Sequence, residues 1–305
     1  TARVRMASRL WAVSLAASIP LRSALLLPAR APRRRPLLAR LSATARPQLT
    51  PDPQQDFLVR NQRNDVQVLS CTSVAVLEQG LLELSSEPHI CVAGESNAGK
   101  SSLINHLLVK KNLARASSVA GKTKAVDMML VNQGLVIADL PGLPSRDHQV
   151  EFQWERSWRP LVFEYVRRCH SLRAMLYVHD VRWKVSSLCR DFLTEIQETG
   201  VPVILVLTKD DRLEVRGDET RHQVRVKQAK KIKASLGLAD AVHLHYSVDN
   251  SLPSSRKARR QLLRYIESLA AVDDRDESRE LLAGISAKKR GVPPEPAAGD
   301  NVELG

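Results

Sequence analysis

From residue 89 onward the apolar positions fall into two rhythms. Short apolar runs occur at His89 to Ala93, Val126 to Val131, Leu135 to Ala138, Ala174 to Val178, Val201 to Leu207 and Val242 to Tyr246. Runs of this length, rich in Val, Ile and Leu, suit strands buried on both faces. Between them lie segments that read as helices: Ser102 to Leu108, Val150 to Arg168, Ser187 to Glu198, Glu219 to Ser235 and Arg256 to Leu269. In the second of these, Phe152, Trp158, Leu161, Val162, Tyr165 and Val166 recur mostly every three or four residues, as an amphipathic helix requires. Asn132-Gln133-Gly134 joins two of the runs as a hairpin. Strands alternating with helices predict an α/β fold, a mostly parallel six-stranded sheet with helices on both faces.

The ends of the chain break this pattern. Residues 1–46 carry ten arginines and no Asp, Glu or Lys, which is the composition of an organelle transit peptide, mitochondrial ahead of plastid. A secretory signal over Leu10 to Ile19 and a basic nucleic-acid-binding arm are the competing readings. A linker and an apolar-rich lead-in occupy 47–84, the main domain 85–271, and a tail expected to be disordered 272–305. The net charge of +13 shrinks to +3 once the ten N-terminal arginines are set aside, so the body is only moderately basic. No stretch approaches the ~20 uncharged apolar residues of a membrane-spanning helix, so no membrane association is expected. Cys71, Cys91, Cys169 and Cys189 lack any Cys-x-x-Cys spacing and read as reduced core thiols.

The chemistry begins where the first run meets the first helix. Gly94-Glu95-Ser96-Asn97-Ala98-Gly99-Lys100-Ser101 spells Gly, four residues, Gly, Lys, Ser, the phosphate-binding P-loop. Its glycines let backbone N–H groups converge on phosphate oxygens at the positive end of a helix. Lys100 would reach the β- and γ-phosphates and the Ser101 hydroxyl would ligate Mg²⁺. Kinases, ATPases and GTPases all share this loop, so other residues must select among them. Asp139-Leu140-Pro141-Gly142 stands at the carboxyl end of a strand, where Asp139 can hold the Mg²⁺ shell and Gly142 can turn its N–H toward a γ-phosphate. Thr208-Lys209-Asp210-Asp211 ends another strand in the [Asn/Thr]-Lys-x-Asp pattern. The Asp211 carboxylate can accept from guanine N1–H and the 2-amino group, a donor pair that adenine lacks, while the Lys209 stem covers the ring. Tyr246-Ser247-Val248 follows the last strand, where Ser247 can brace the guanine pocket and a backbone N–H can meet O6.

With these residues in order, the chain resembles the EngB (YsxC/YihA) group of GTPases, whose members are associated with ribosome assembly. The likeness rests on Gly94 to Ser102 with Leu103-Ile104-Asn105, on Asn112 to Thr123, Asp139 to Gly142, the helix with Trp158 and Tyr165, Asp180-Val181-Arg182, and Thr208 to Asp211. It covers about residues 55–270. By that resemblance, Thr123 in Gly121-Lys122-Thr123 is the switch I threonine that joins Ser101 and Asp139 at Mg²⁺, and switch II begins at Asp139. Lys100, Thr123 and Gly142 are then the catalytic candidates. Glu95, Ala120, Leu143-Pro144 and Val248 with Asp249 to Pro253 depart from the family pattern.

Leu143 stands where Ras-like enzymes place a glutamine, so intrinsic hydrolysis is expected to be slow and to depend on K⁺ near Asn97 or on a bound partner. Arg221, Arg225, Lys227, Lys230, Lys231 and Lys233, then Arg256, Lys257, Arg259, Arg260 and Arg264, gather positive charge late in the domain. Ribosomal RNA, or the large ribosomal subunit, is the expected partner of a monomeric protein, contacted through its backbone. The second reading is a GTP-gated RNA scaffold with little turnover.

Overall fold

The computed structural model describes residues 64–110, 113–114, 124–144, 148–215 and 217–290. Seven strands form one sheet: β1 (Val66–Cys71), β2 (His89–Gly94), β3 (Val126–Val131), β4 (Leu135–Asp139), β5 (Leu172–Asp180), β6 (Val203–Thr208) and β7 (His243–His245). Their order across the sheet is β1-β3-β4-β2-β5-β6-β7. The five strands from β4 to β7 in that order pair in parallel, and β3 is antiparallel to both β4 and β1.

The seventh strand is β1, which lies in the stretch read above only as a lead-in. Its register against β3, from Val66 opposite Val131 to Cys71 opposite Val126, makes it the sheet edge. An edge strand is half solvated, so Val66-Gln67-Val68-Leu69-Ser70-Cys71 lacks the unbroken apolar run that marks β2, β5 and β6.

Eight α-helices are described: α1 (Val74–Glu83), α2 (Lys100–Leu107), α3 (His148–Gln153), α4 (Arg159–Arg168), α5 (Ser187–Glu198), α6 (Arg221–Leu236), α7 (Pro253–Ala270) and α8 (Arg275–Arg290). Trp154–Trp158 forms a π-helical turn that joins α3 to α4, so the expected single helix over 150–168 is continuous but locally widened. That turn sinks both tryptophans into the core, Trp154 edge-on to Phe192 of α5.

The period of two in each strand divides the core into two layers. Cys91, Ala93, Met175, Tyr177, Leu205 and Leu207 face Trp158, Tyr165 and Phe192. Ile90, Val92, Leu176, Val178, Ile204 and Val206 face Leu103 and Leu107 of α2 and Leu262 and Ile266 of α7. All four cysteines are buried and free.

The expectation of disorder from residue 272 fails over 275–290, where α8 forms. Asp274 caps it, its Oδ1 accepting from the N–H groups of Asp276 (2.8 Å) and Glu277 (2.9 Å). Arg275 anchors it, donating to the carbonyls of Val166 (2.9 Å), Cys169 (2.8 Å), Leu172 (3.2 Å) and Thr199 (3.2 Å). One guanidinium thus bridges the carbonyls of Val166, Cys169 and Thr199 around the ends of α4 and α5 with that of Leu172 at the start of β5. Leu282 and the flanking Leu281 and Ile285 complete the core layer below α7. Residues 291–305 lie outside the described residues, as do 1–63. No helix among the described residues is long and apolar enough to cross a membrane.

Candidate nucleotide site

The motifs meet because each follows the carboxyl end of one of five neighbouring parallel strands, the edge where open α/β sheets bind ligands. β2 runs into the P-loop at Gly94, whose φ is +141°. A Cβ there would overlap the carbonyl oxygen of Val178 on β5, so only glycine fits. Asn97 (φ +65°) and Gly99 (φ +106°) complete the turn, and α2 starts at Lys100.

Lys100 is buried, with Nζ donating to the carbonyls of Gly94 and Glu95, both at 3.1 Å. Burial lowers its pKa, opposed by the charges of Asp139 and Glu95. The Asp-x-x-Gly segment is stitched to this loop by a short parallel bridge. Ser96 N–H donates to Leu143 O (2.8 Å) and Leu143 N–H to Gly94 O (3.1 Å). Gly142 consequently lies so close that a Cβ on it would stand 2.8 Å from Lys100 Nζ and 2.9 Å from Ser96 Oγ. Ser101 Oγ donates to Asp139 Oδ2 at 3.1 Å. Burial raises the Asp139 carboxyl to about 6, against the pull of Lys100 and the Ser101 bond. The other oxygen, Oδ1, is buried with no hydrogen-bond partner among the described residues.

On the base side, Thr208 Oγ1 lies 2.5 Å from Ala98 O and 3.1 Å from His179 O, which fastens the end of β6 to the P-loop. Lys209 adopts φ +56° and lays its side chain across the same loop. Its Nζ donates to Asn97 O (2.8 Å), lies 3.0 Å from Asp180 Oδ2, and stands 5.2 Å from the centroid of the half-buried Trp183 ring. Asp180 is fully buried and also takes both forks of Arg182 at 2.9 and 2.7 Å. Burial would raise its pKa, but the bonds from Arg182 and Lys209 prevail and lower it. Asp211 keeps an accessible carboxylate beside Arg212 at 3.8 Å.

A model of the 50S ribosome-binding GTPase family matches residues 89–209. A probable GTP-binding protein EngB of Protochlamydia amoebophila is 33% identical over 190 residues, 62% of this chain and 85% of that one. The counterpart in Syntrophomonas wolfei is 35% identical over 144 residues, covering 46% of this chain and 72% of its own. The chain belongs to the EngB family. It is a P-loop GTPase that binds guanine nucleotide. A crystal structure of a probable GTP-binding protein engB aligns over 60% of this chain and 98% of its own, at 20% identity and a TM-score of 0.41, too loose an overlap to bear on the site.

Three residues of the expected EngB site turn out to have other side-chain tasks. Asp210, grouped above with the nucleotide contacts, is buried between Arg225 and His245, the latter with Nδ1 2.9 Å from Oδ1. Burial raises its pKa, but the bonds from His245 and Arg225 outweigh it and hold the carboxyl at about 2. The Asp210 carboxylate is therefore engaged inside the protein, by Arg225 and His245. The Glu95 side chain lies against Ser186 Oγ (3.4 Å) and His179 (3.8 Å). Tyr246 is buried, its hydroxyl on His106 at 2.7 Å.

Of the remaining expected residues, Leu140, Pro141, Ala98 and Ser247 are buried, Ser102 is half-buried and Val248 is exposed. Gly121, Lys122 and Thr123 lie outside the described residues. Sequence reasoning assigned no role to Trp183, nor to the carboxylate of Asp180. The one available signal was position, an acid at the carboxyl end of the inner strand β5, three residues before a tryptophan.

Proposed function

We propose that this EngB GTPase cycles between GTP and GDP to assist assembly of the large ribosomal subunit in an organelle, the mitochondrion ahead of the plastid. The observation that carries the nucleotide part is the double tie between base loop and phosphate loop, Thr208 to Ala98 and Lys209 to Asn97. Those contacts fix the spacing between Asp211, as reader of the guanine N1–H and 2-amino donors, and the backbone N–H groups of Ser96 to Ser101 around the phosphates. Lys100 leaves its two carbonyls for the β- and γ-phosphate oxygens, whose charge restores its ordinary basicity. Gly142, already against Lys100, offers its N–H to the terminal phosphate.

The site fits Mg²⁺. A buried Asp139 oxygen without a partner beside the Ser101 hydroxyl is the oxygen donor set that a hard cation takes. Ser101, Asp139 and the switch I residue Thr123 would hold the ion, which neutralises charge between the phosphates.

Leu143 is fully buried in the bridge to Gly94 and carries no group to orient water. Unassisted hydrolysis is accordingly slow, and the missing element comes from K⁺ near Asn97 or from the bound particle. Basic residues on α6 and α7, which cover opposite faces of the sheet, support an RNA partner, although several have internal work. Arg225 and Arg221 face Asp210, and Arg259 donates to the carbonyls of His106 and Leu107. Lys230, Lys231, Arg256, Lys257, Arg260 and Arg264 remain exposed for phosphate contact. The arginine-rich, acid-free 1–46 supports the organelle reading.

The test is GTP turnover with and without K⁺ and large ribosomal subunits, beside import of residues 1–46 fused to a reporter. Stimulation by subunits that weakens with salt is the expected result. Fast turnover in the protein alone would overturn the dependence on a partner.

A further inference from the structure

The loop after β7 is fastened from the far end of the P-loop helix. His106, in the last turn of α2, sets Nδ1 2.7 Å from the Tyr246 hydroxyl and Nε2 2.6 Å from Asn250 Oδ1. A carboxamide oxygen only accepts, so Nε2 carries the imidazole proton and Nδ1 accepts from the Tyr246 O–H. The two rings meet edge to face at 5.6 Å, a favoured aromatic geometry. Arg259 of α7 donates to the carbonyls of His106 (2.9 Å) and Leu107 (2.7 Å), which holds that end of α2 still.

The loop itself is internally bonded. Asp249 N–H donates to Ser247 Oγ (3.1 Å), and Asp249 Oδ1 accepts from Ser251 N–H (2.9 Å) and Oγ (2.7 Å). Tyr246 and Asn250 bracket the three residues between them, and both lead to one imidazole.

We infer that His106 is a positioning residue for guanine recognition, holding the backbone of Ser247 to Asp249 where an N–H meets the base O6. Through the eight residues of α2 it also links that floor to Lys100 and Ser101 at the phosphate end of the same helix. This rests on the reading of the Ser247 loop as the guanine pocket's floor. The departures at Asp249 to Pro253 then have a local explanation, since Asn250 supplies the acceptor that His106 requires.

The test compares binding of GDP, ADP and 6-thioguanosine diphosphate, which keeps the donors that Asp211 reads and changes only the O6 position. Wild-type protein is expected to prefer GDP over the thio analogue by about fivefold, the worth of one net hydrogen bond. His106→Ala should lose about that factor for GDP and little for the analogue, closing the gap. Asn250→Ala, altered at an exposed position and so less exposed to folding failure, should do the same, and His106→Gln should partly restore the preference. Equal loss of both nucleotides in the variants, with the wild-type preference intact, would overturn the role of His106 and leave the guanine pocket standing. If wild type fails to separate GDP from ADP, the pocket reading itself falls and this inference with it. If it separates those two but not GDP from the thio analogue, the O6 contact is absent and the inference alone falls.

Discussion

Acid should unfold this protein through histidines that the fold keeps neutral, and His89 is the cleanest to isolate. It opens β2 fully buried, Nε2 3.1 Å from Leu84 O and Nδ1 3.0 Å from the Tyr165 hydroxyl. The carbonyl requires a proton on Nε2, so Nδ1 is the acceptor, and protonation would place a buried charge against a hydroxyl. Burial is the main cause that lowers its pKa from 6.5 to about 4, helped by the charge of Arg173 and opposed by the bond to Leu84. A depressed folded pKa means that the unfolded chain binds the proton first. The contribution of His89 is therefore complete above pH 6.5 and is lost as pH falls toward 4. One proton gives a slope of about 1.4 kcal/mol per pH unit, so the window of roughly 2.5 units is worth at most about 3.5 kcal/mol. His89→Gln keeps a donor for Leu84 but cannot titrate. Urea unfolding of both proteins between about pH 7 and pH 4.5 should show the variant less stable at neutral pH, with a shallower decline toward acid. Parallel declines would refute the reasoning, because the proton uptake would then belong to His243, also held at about 4 by burial first, or to other groups.

Other substitutions separate scaffold from site. Gly94→Ala, blocked by the Val178 carbonyl, should abolish GDP binding and lower Tm far more than Gly99→Ala, whose added methyl finds nothing nearer than 3.7 Å and bears only backbone strain of about 1 to 2 kcal/mol; thermal melts and GDP titration of both compare them. Arg275→Ala should cost about 3 kcal/mol by removing a donor shared among four carbonyls, of which Cys169 O keeps the Leu172 N–H, while a GDP titration stays unchanged. Asp211→Asn should erase the preference for GTP over ATP, whereas Asp210→Asn should lower the melting temperature through Arg225 and His245 and keep that preference; the opposite assignment would show that the loop is read from the wrong carboxylate.

The legible parts of the fold were those with one environment along their length. β2, β5 and β6 are buried on both faces and show as unbroken apolar runs, whereas β1 at the edge mixes Gln67 and Ser70 with Val and Leu. α8 was hidden because its Asp, Glu, Lys and Arg dominate the composition, although Leu281, Leu282 and Ile285 already trace an apolar stripe. The π turn at Trp154 leaves no mark in residue spacing.

Within the site, motif positions were legible because phosphate and base chemistry act through backbone spacing at strand ends. The internal partners of Asp210 were not, since they depend on the short 3₁₀ turn Asp210–Arg212 and on Arg225, fifteen residues away. The same holds for Glu95, whose side chain follows a partner on α5's cap, Ser186, far along the chain.

Trp183 gives the molecule a built-in optical gauge. Its indole lies half-buried with the Lys209 ammonium 5.2 Å from the ring centre, and a nearby cation shifts and quenches indole emission. A purine bound against the Lys209 stem should alter the surroundings of that ammonium, and Trp183 emission followed during a nucleotide titration checks this. Trp154 and Trp158 sit apart, in the π turn beyond the Asp-x-x-Gly segment. Retaining one indole at a time would let arrival of the base and movement of the switch be clocked separately, without a label on either nucleotide or protein.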